Sequence, residues 1–203
     1  MVFANFDPVT ADIDAVQVVK LLIAGGFGVG KTTLVTAVSE ITPLRTEERL
    51  SELGAAVDDL TGVEGKTTTT VALDFGRITI NPQVMLYLFG TPGQDRFWFM
   101  WRELSLGALG AVVLADTRRL EDSFAAVDYF ESREIPFIVA VNCFAGADIY
   151  EADEVRAALD LPSHVPVVFC DVRNRQSAKD VLVHLLEHIA TTSPAGRHRT
   201  PTP

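Results

Sequence analysis

The stretch Gly25-Gly26-Phe27-Gly28-Val29-Gly30-Lys31-Thr32 constrains this chain more than any other. It fits G-x-x-x-x-G-K-[ST], the phosphate-binding P-loop. That spelling needs a strand before it and a helix after it, and both are written in the sequence. Val16 to Ala24 reads VQVVKLLIA, a β-branched, apolar run suited to a buried strand. After Thr32, Leu34, Val35, Val38 and Ile41 recur at helical spacing. The glycines let backbone N–H groups turn inward as an anion nest at a helix N-terminus. Gly25, Phe27, Gly28, Val29, Gly30, Lys31, Thr32 and Thr33 are therefore the expected phosphate cradle. Lys31 would reach the β- and γ-phosphates, and the Thr32 hydroxyl would hold Mg²⁺. A glycine-rich turn of a sugar- or dinucleotide-binding protein is the competing reading, and the flanking strand and helix weigh against it.

Apolar runs and helical patterns alternate along the rest of the chain. Val71 to Ile80 and Val84 to Phe89 read as an antiparallel strand pair around the turn Asn81-Pro82-Gln83. Gly107 to Ala115, Ile135 to Val141 and Val165 to Cys170 read as further strands. Leu120 to Phe130, Asp153 to Leu159 and Ala178 to Ala190 read as helices, with Val181, Leu182, Leu185, Leu186 and Ile189 on one face of the last. Thr42 to Thr70 is a variable connection. The order predicts an α/β P-loop NTPase: a six-stranded, mostly parallel sheet with one antiparallel strand and helices on both faces. A length of 203 residues suits one domain, 15–192, with a flexible arm at 1–14 and a disordered, Pro-rich tail at 193–203.

Net charge is −10, and no basic run is present. That argues against a nucleic-acid partner and against direct docking on anionic membranes. No run is long enough for a transmembrane segment, and neither a signal peptide nor a lipidation motif is written, so a cytoplasmic protein is expected. Cys143 and Cys170 end apolar runs and read as reduced core thiols.

Two shorter signals follow. Gly90-Thr91-Pro92-Gly93-Gln94-Asp95 comes straight after the strand VMLYLF. Gly93 can offer its N–H to a γ-phosphate, and Gln94 can orient an attacking water. Thr67 to Thr70 precede the strand VALDF, where a threonine could close over Mg²⁺ and the γ-phosphate. Simple β-propensity at a strand start would also explain the threonines.

With GGFGVGKTT, TTTTVALDFG, GTPGQDRFW and VNCF together, the chain resembles a Ras-like small GTPase from Val16 to Ala190. Within that superfamily it is similar to the bacterial Mgl-type branch and its actinobacterial conservon-type relatives, which are encoded beside sensor-kinase-like and roadblock-domain proteins. The resemblance implies a GTP/GDP switch with Mg²⁺ in bacterial signalling, slow at hydrolysis and stimulated by a roadblock-domain protein. It also implies a sensor-kinase-like partner and membrane recruitment through partners. In the spacing Thr-x-x-x-Asp-Phe, Thr70 with Asp74 and Phe75 matches the switch I threonine, which gives Thr32 and Thr70 as metal residues. Gln94 matches the switch II glutamine. Asn142 and Cys143 stand in the guanine motif N-K-x-D, and Asp171 and Val172 fall in the last base-contacting loop.

The chain departs from the Ras pattern twice. The aspartate four positions before the glutamine is Gly90, an absence that Mgl-type proteins share. Metal binding then leans on Thr32, Thr70 and the phosphates. The guanine motif reads N-C-F-A, so Ala145 replaces the carboxylate that accepts two hydrogen bonds from guanine. Asp148 or Asp171 is left to substitute for it. The motif alone supports a purine nucleoside triphosphate, and an ATPase, a nonselective NTPase or a non-hydrolysing nucleotide-bound module stays open. Arg45, Arg49, Arg96 and Arg102 lie in the switch regions, and none stands directly before Thr70.

Three features remain. Phe97-Trp98-Phe99-Met100-Trp101 cannot all face the core of a helix, so the run reads as a partner surface, with core packing as the alternative. Ser177-Ala178-Lys179 reads as a helix N-cap. His184 and His188 read as a solvated helix face.

Overall fold

The computed structural model describes residues 16–50, 69–93 and 99–192, with the side chains of 45–50 and 69–72 excluded. The expected arm, the expected tail, Gln94, Arg96, Phe97 and Trp98 lie outside the described residues. The strands are β1 (Gln17–Gly25), β2 (Leu44–Leu50), β3 (Thr69–Asn81), β4 (Val84–Gly90), β5 (Ala108–Ala115), β6 (Phe137–Asn142) and β7 (Val167–Cys170). The helices are α1 (Lys31–Val38), α2 (Phe99–Ser105), α3 (Phe124–Ser132), α4 (Ala152–Ala158) and α5 (Arg175–Thr192).

The strands form a seven-stranded sheet in the order β2-β3-β4-β1-β5-β6-β7. The parallel α/β architecture and its single reversed strand, β3, are as expected. The additional strand is β2, which pairs antiparallel with β3 from Leu44↔Phe75 to Leu50↔Thr69. Its sequence, LRTEERL, holds two apolar residues among charged ones, as an edge strand does.

Successive residues of β1 feed opposite faces, because strand side chains alternate. Leu21 and Ile23 join Leu34, Val35 and Val38 of α1 and Val181, Leu182 and Leu185 of α5. Leu22 and Ala24 join Trp101 of α2, Val127 and Phe130 of α3 and Val155 of α4. The expected helix from Leu120 is in fact two pieces. A 3-10 segment, Thr117–Ser123, kinks at Arg119 (φ −150°, ψ 56°) before α3 begins.

Three local expectations are corrected. Ser177 lies inside α5, and the cap is Asn174, whose Oδ1 accepts the N–H groups of Gln176 (2.9 Å) and Ser177 (3.1 Å). Ser177 Oγ instead accepts the Asp171 N–H at 3.0 Å. His188 is buried, its ring stacked on that of His164 with centroids 6.4 Å apart. Burial, with His164 beside it, lowers its pKa below the usual histidine value. Of the two free cysteines only Cys170 is a core thiol, and burial pushes its pKa up to about 12; Cys143 is exposed.

Among the described residues no helix is long and apolar enough to cross a membrane. The chain leaves β1 through α1 toward the β2-β3-β4 side and crosses from β4 through α2 to β5 on the other side of β1, so a crevice opens at the C-terminal ends of these strands. Because β3 is reversed, its early residues reach that same edge: Asp74 sits opposite Gly90.

Candidate functional site

The loop after β1 turns on glycines. Gly30 adopts φ 111°, and a Cβ there would lie 2.9 Å from both Asn142 Nδ2 and Val172 Cγ2. The N-cap of α1 is Gly30, which has no side chain to cap it, and no acidic residue occupies the first turn. The leading N–H groups of α1 thus start at the crevice with no cap from their own N-cap residue, as suits an anion site.

Lys31 Nζ donates to the carbonyl oxygens of Gly25 (2.7 Å) and Gly26 (2.6 Å). Burial lowers its pKa to about 8, against the opposing pull of the Asp74 carboxylate. Thr32 Oγ1 donates to Asp74 Oδ2. Asp74 is buried, and sequence reading used it only to locate Thr70. Thr70 lies in β3 opposite Arg49.

Gly93 meets the loop from the other side. A Cβ there would stand 2.5 Å from Lys31 Nζ and 2.9 Å from the Gly26 carbonyl oxygen, so only glycine fits this approach.

Asn142, at the end of β6, ties the phosphate loop to the loop after β7. Its Nδ2 donates to the Val29 carbonyl at 3.0 Å, and its Oδ1 accepts the Val172 N–H at 3.3 Å. Cys143 N–H donates to the Cys170 carbonyl at 2.7 Å. Asp171 is claimed locally: it accepts from the Arg173 backbone N–H (3.0 Å), Nε (2.8 Å) and Nη2 (2.8 Å), which holds its carboxyl at about 2. Beside Asn142 opens a mainly apolar cavity of about 480 Å³, lined by Cys143, Phe144, Asp148, Ile149 and Phe169 among others.

Two arginines absent from the sequence reading frame this end of the sheet. Arg118 pairs with the buried Asp116 (Nε 2.9 Å, Nη2 2.7 Å) and lies 4.1 Å from the centre of the Phe144 ring. Arg119 Nη2 donates to the Phe27 carbonyl at 3.1 Å, across 92 residues of sequence. Among the arginines expected near the switches, Arg102 is exposed on α2 and Arg45 and Arg49 lie in β2.

Solved structures share this architecture. The apo cytosolic domain of the T. maritima FeoB iron transporter superposes with TM-score 0.62 and 19% identity, over 91% of this chain and 67% of that one. Its GDP form I gives 0.60 and 19%, over 86% and 64%. The FeoB G-domain from Methanococcus jannaschii gives 0.55 and 12%, over 85% and 98%. These likenesses show the G-domain P-loop fold. In sequence, the uncharacterized protein MJ1339 of Methanocaldococcus jannaschii is 35% identical over 127 residues, 61% of this chain and 69% of that protein. A family profile described as conserved hypothetical ATP binding protein matches residues 23–192, and the chain belongs to that family.

Proposed function

We propose that this chain is a nucleotide-operated switch that binds GTP and GDP with Mg²⁺ and hydrolyses GTP slowly until a partner stimulates it. The observation that carries the reading is the convergence of Lys31, Thr32, Gly93 and the uncapped start of α1 at the end of β1. In this reading Lys31 and the loop N–H groups hold the β- and γ-phosphates, and Gly93 reads the γ-phosphate. Thr32 and Thr70 hold the metal, whose bound form neutralises phosphate charge. Gln94 positions the attacking water. Asn142 supports the base site, with Cys143, Asp171 and Val172 near the base. Arg119, already against the Phe27 carbonyl, adds a cation beside the phosphates.

The Mgl-type and conservon resemblance supplies the setting: residues 15–192 as the switch domain in a cytoplasmic signalling protein. A roadblock-domain protein acts as activator, and a sensor-kinase-like protein serves as a second partner and membrane recruiter. Gln94→Leu is expected to slow single-turnover hydrolysis in the presence of the roadblock partner while leaving binding intact. Equal rates would remove Gln94 from that role.

A second reading, ATP or nonselective NTP binding, is favoured by the base loop. Ala145 offers no carboxylate, and Asp171 is engaged by Arg173. The family description names ATP, whereas one structural neighbour is a GDP form. Affinities for GDP and ADP, measured side by side, decide between the readings. Ala145→Asp is expected to raise the GDP-to-ADP affinity ratio by about tenfold or more, the scale of a paired hydrogen-bond match. An unchanged ratio would mean that this loop does not contact the base.

A further inference from the structure

Asp74 is a buried carboxylate, 8% exposed, at the point where three segments of the chain meet. The reversal of β3 places it opposite Gly90 of β4. A Cβ on Gly90 would come within 3.2 Å of the Asp74 Cβ and 3.4 Å of its Oδ2. The Asp74 side chain thus fills the space that Gly90 leaves open. Its Oδ2 accepts the Thr32 hydroxyl, and its charge acts on the Lys31 ammonium. Burying a carboxylate is costly without strong compensation, and two phosphate-loop side chains that carry the chemistry supply part of it here.

A hydroxyl and a carboxylate in contact form a pair of hard oxygen donors, the type that suits Mg²⁺. P-loop NTPases hold Mg²⁺ with the loop Ser or Thr and one aspartate. Sequence spacing offers no aspartate at the end of β4, because that residue is Gly90. The neighbouring strand delivers one to the same place from the opposite chain direction.

We propose that Asp74, reaching in from reversed β3, is the carboxylate of the metal site begun by Thr32, in the place where Gly90 has no side chain. This rests on the nucleotide–Mg²⁺ reading above. Asp74 acts on the metal directly or through its water shell, and it orients the Thr32 hydroxyl. A role confined to balancing the Lys31 charge would affect nucleotide binding with or without metal. A metal role affects only the metal-dependent part.

The test compares the full chain with Asp74→Asn. Affinities for fluorescent GDP and ADP are measured first in EDTA, and Mn²⁺ is then titrated into the nucleotide complex and followed by electron paramagnetic resonance. Nucleotide affinity in EDTA is expected to stay within about threefold of wild type. Mn²⁺ affinity is expected to fall by about tenfold or more, the usual result of removing a carboxylate that tunes a metal site. An Asp74→Asn protein that holds Mn²⁺ as tightly as wild type overturns the assignment.

If that variant does not fold, the exchange Asp74→Gly with Gly90→Asp carries the test, since removing the Asp74 side chain frees the space a Gly90 substituent needs. Recovery of wild-type Mn²⁺ affinity in the exchanged protein is the expected result, and a folded, nucleotide-binding exchange without it overturns the assignment. A wild type that binds neither diphosphate, in EDTA or with Mg²⁺ added, overturns the nucleotide reading and this inference together.

Discussion

Replacing Lys31 with alanine is expected to weaken GTP binding by roughly a hundredfold or more. Each hydrogen bond to a charged group is worth about 1.5–3 kcal/mol, and tenfold in affinity is about 1.4 kcal/mol. The ammonium bonds the Gly25 and Gly26 carbonyls, so it points along the loop's inner wall. The same residue predicts a pH dependence. Burial lowers its pKa to about 8, below the ordinary lysine value. Below that pH the ammonium is in place for phosphate. Above it the free protein loses the proton, and binding must restore it. Affinity is therefore expected to fall by up to about tenfold per pH unit above pH 8, toward the ordinary lysine value near 10.4. Calorimetry across that range checks both claims. A Lys31→Ala protein with near-normal GTP affinity would remove Lys31 from the phosphate site.

Trp101→Ala is expected to destabilise the fold by about 3–5 kcal/mol, the range for emptying a buried aromatic site. The ring is 3% exposed and contacts Tyr129 and Phe130, with centroids 5.2 and 5.8 Å away. Its Nε1 donates to the Pro92 carbonyl at 3.2 Å, so truncation leaves both a cavity and a lost hydrogen bond. Phe99 of the same run is 62% exposed, and Phe99→Ala should change stability by no more than about 0.5 kcal/mol. Denaturant unfolding of the two variants measures the contrast. Equal midpoints would refute this division of the run. Trp101 accordingly belongs to the core, whereas Phe99 is the exposed large residue among the described members of the run.

Features encoded over a few adjacent residues were legible in the sequence. The phosphate loop, its strand and its helix are contiguous, so glycine spacing and apolar periodicity suffice. Asn142 was legible because its motif begins directly at a strand end. Features that depend on pairing across the fold were not. β2 carries charges on an edge, so no apolar period marks it. The place of Asp74 depends on its register with Gly90 in an antiparallel pair. Arg119 meets Phe27 only after β5 has been laid beside β1. His188 is covered by His164 from a separate segment, which the helical spacing of His184 and His188 could not disclose. Asn174 displaces Ser177 as cap because it, not the serine, stands just before the first helical residue.

The bond from Trp101 to Pro92 has a mechanical consequence. Pro92 immediately precedes Gly93, so displacement of Gly93 pulls on an indole wedged in the opposite side of the molecule from α1 and α5. That indole rests edge-on against Tyr129 of α3, and the Tyr129 hydroxyl meets Ser105 Oγ, at the end of α2, at 2.9 Å. Loop, indole and the two helices form a short gear train. A protein gripping α3 would feel the loop's position through solid contacts, at a distance from the loop itself.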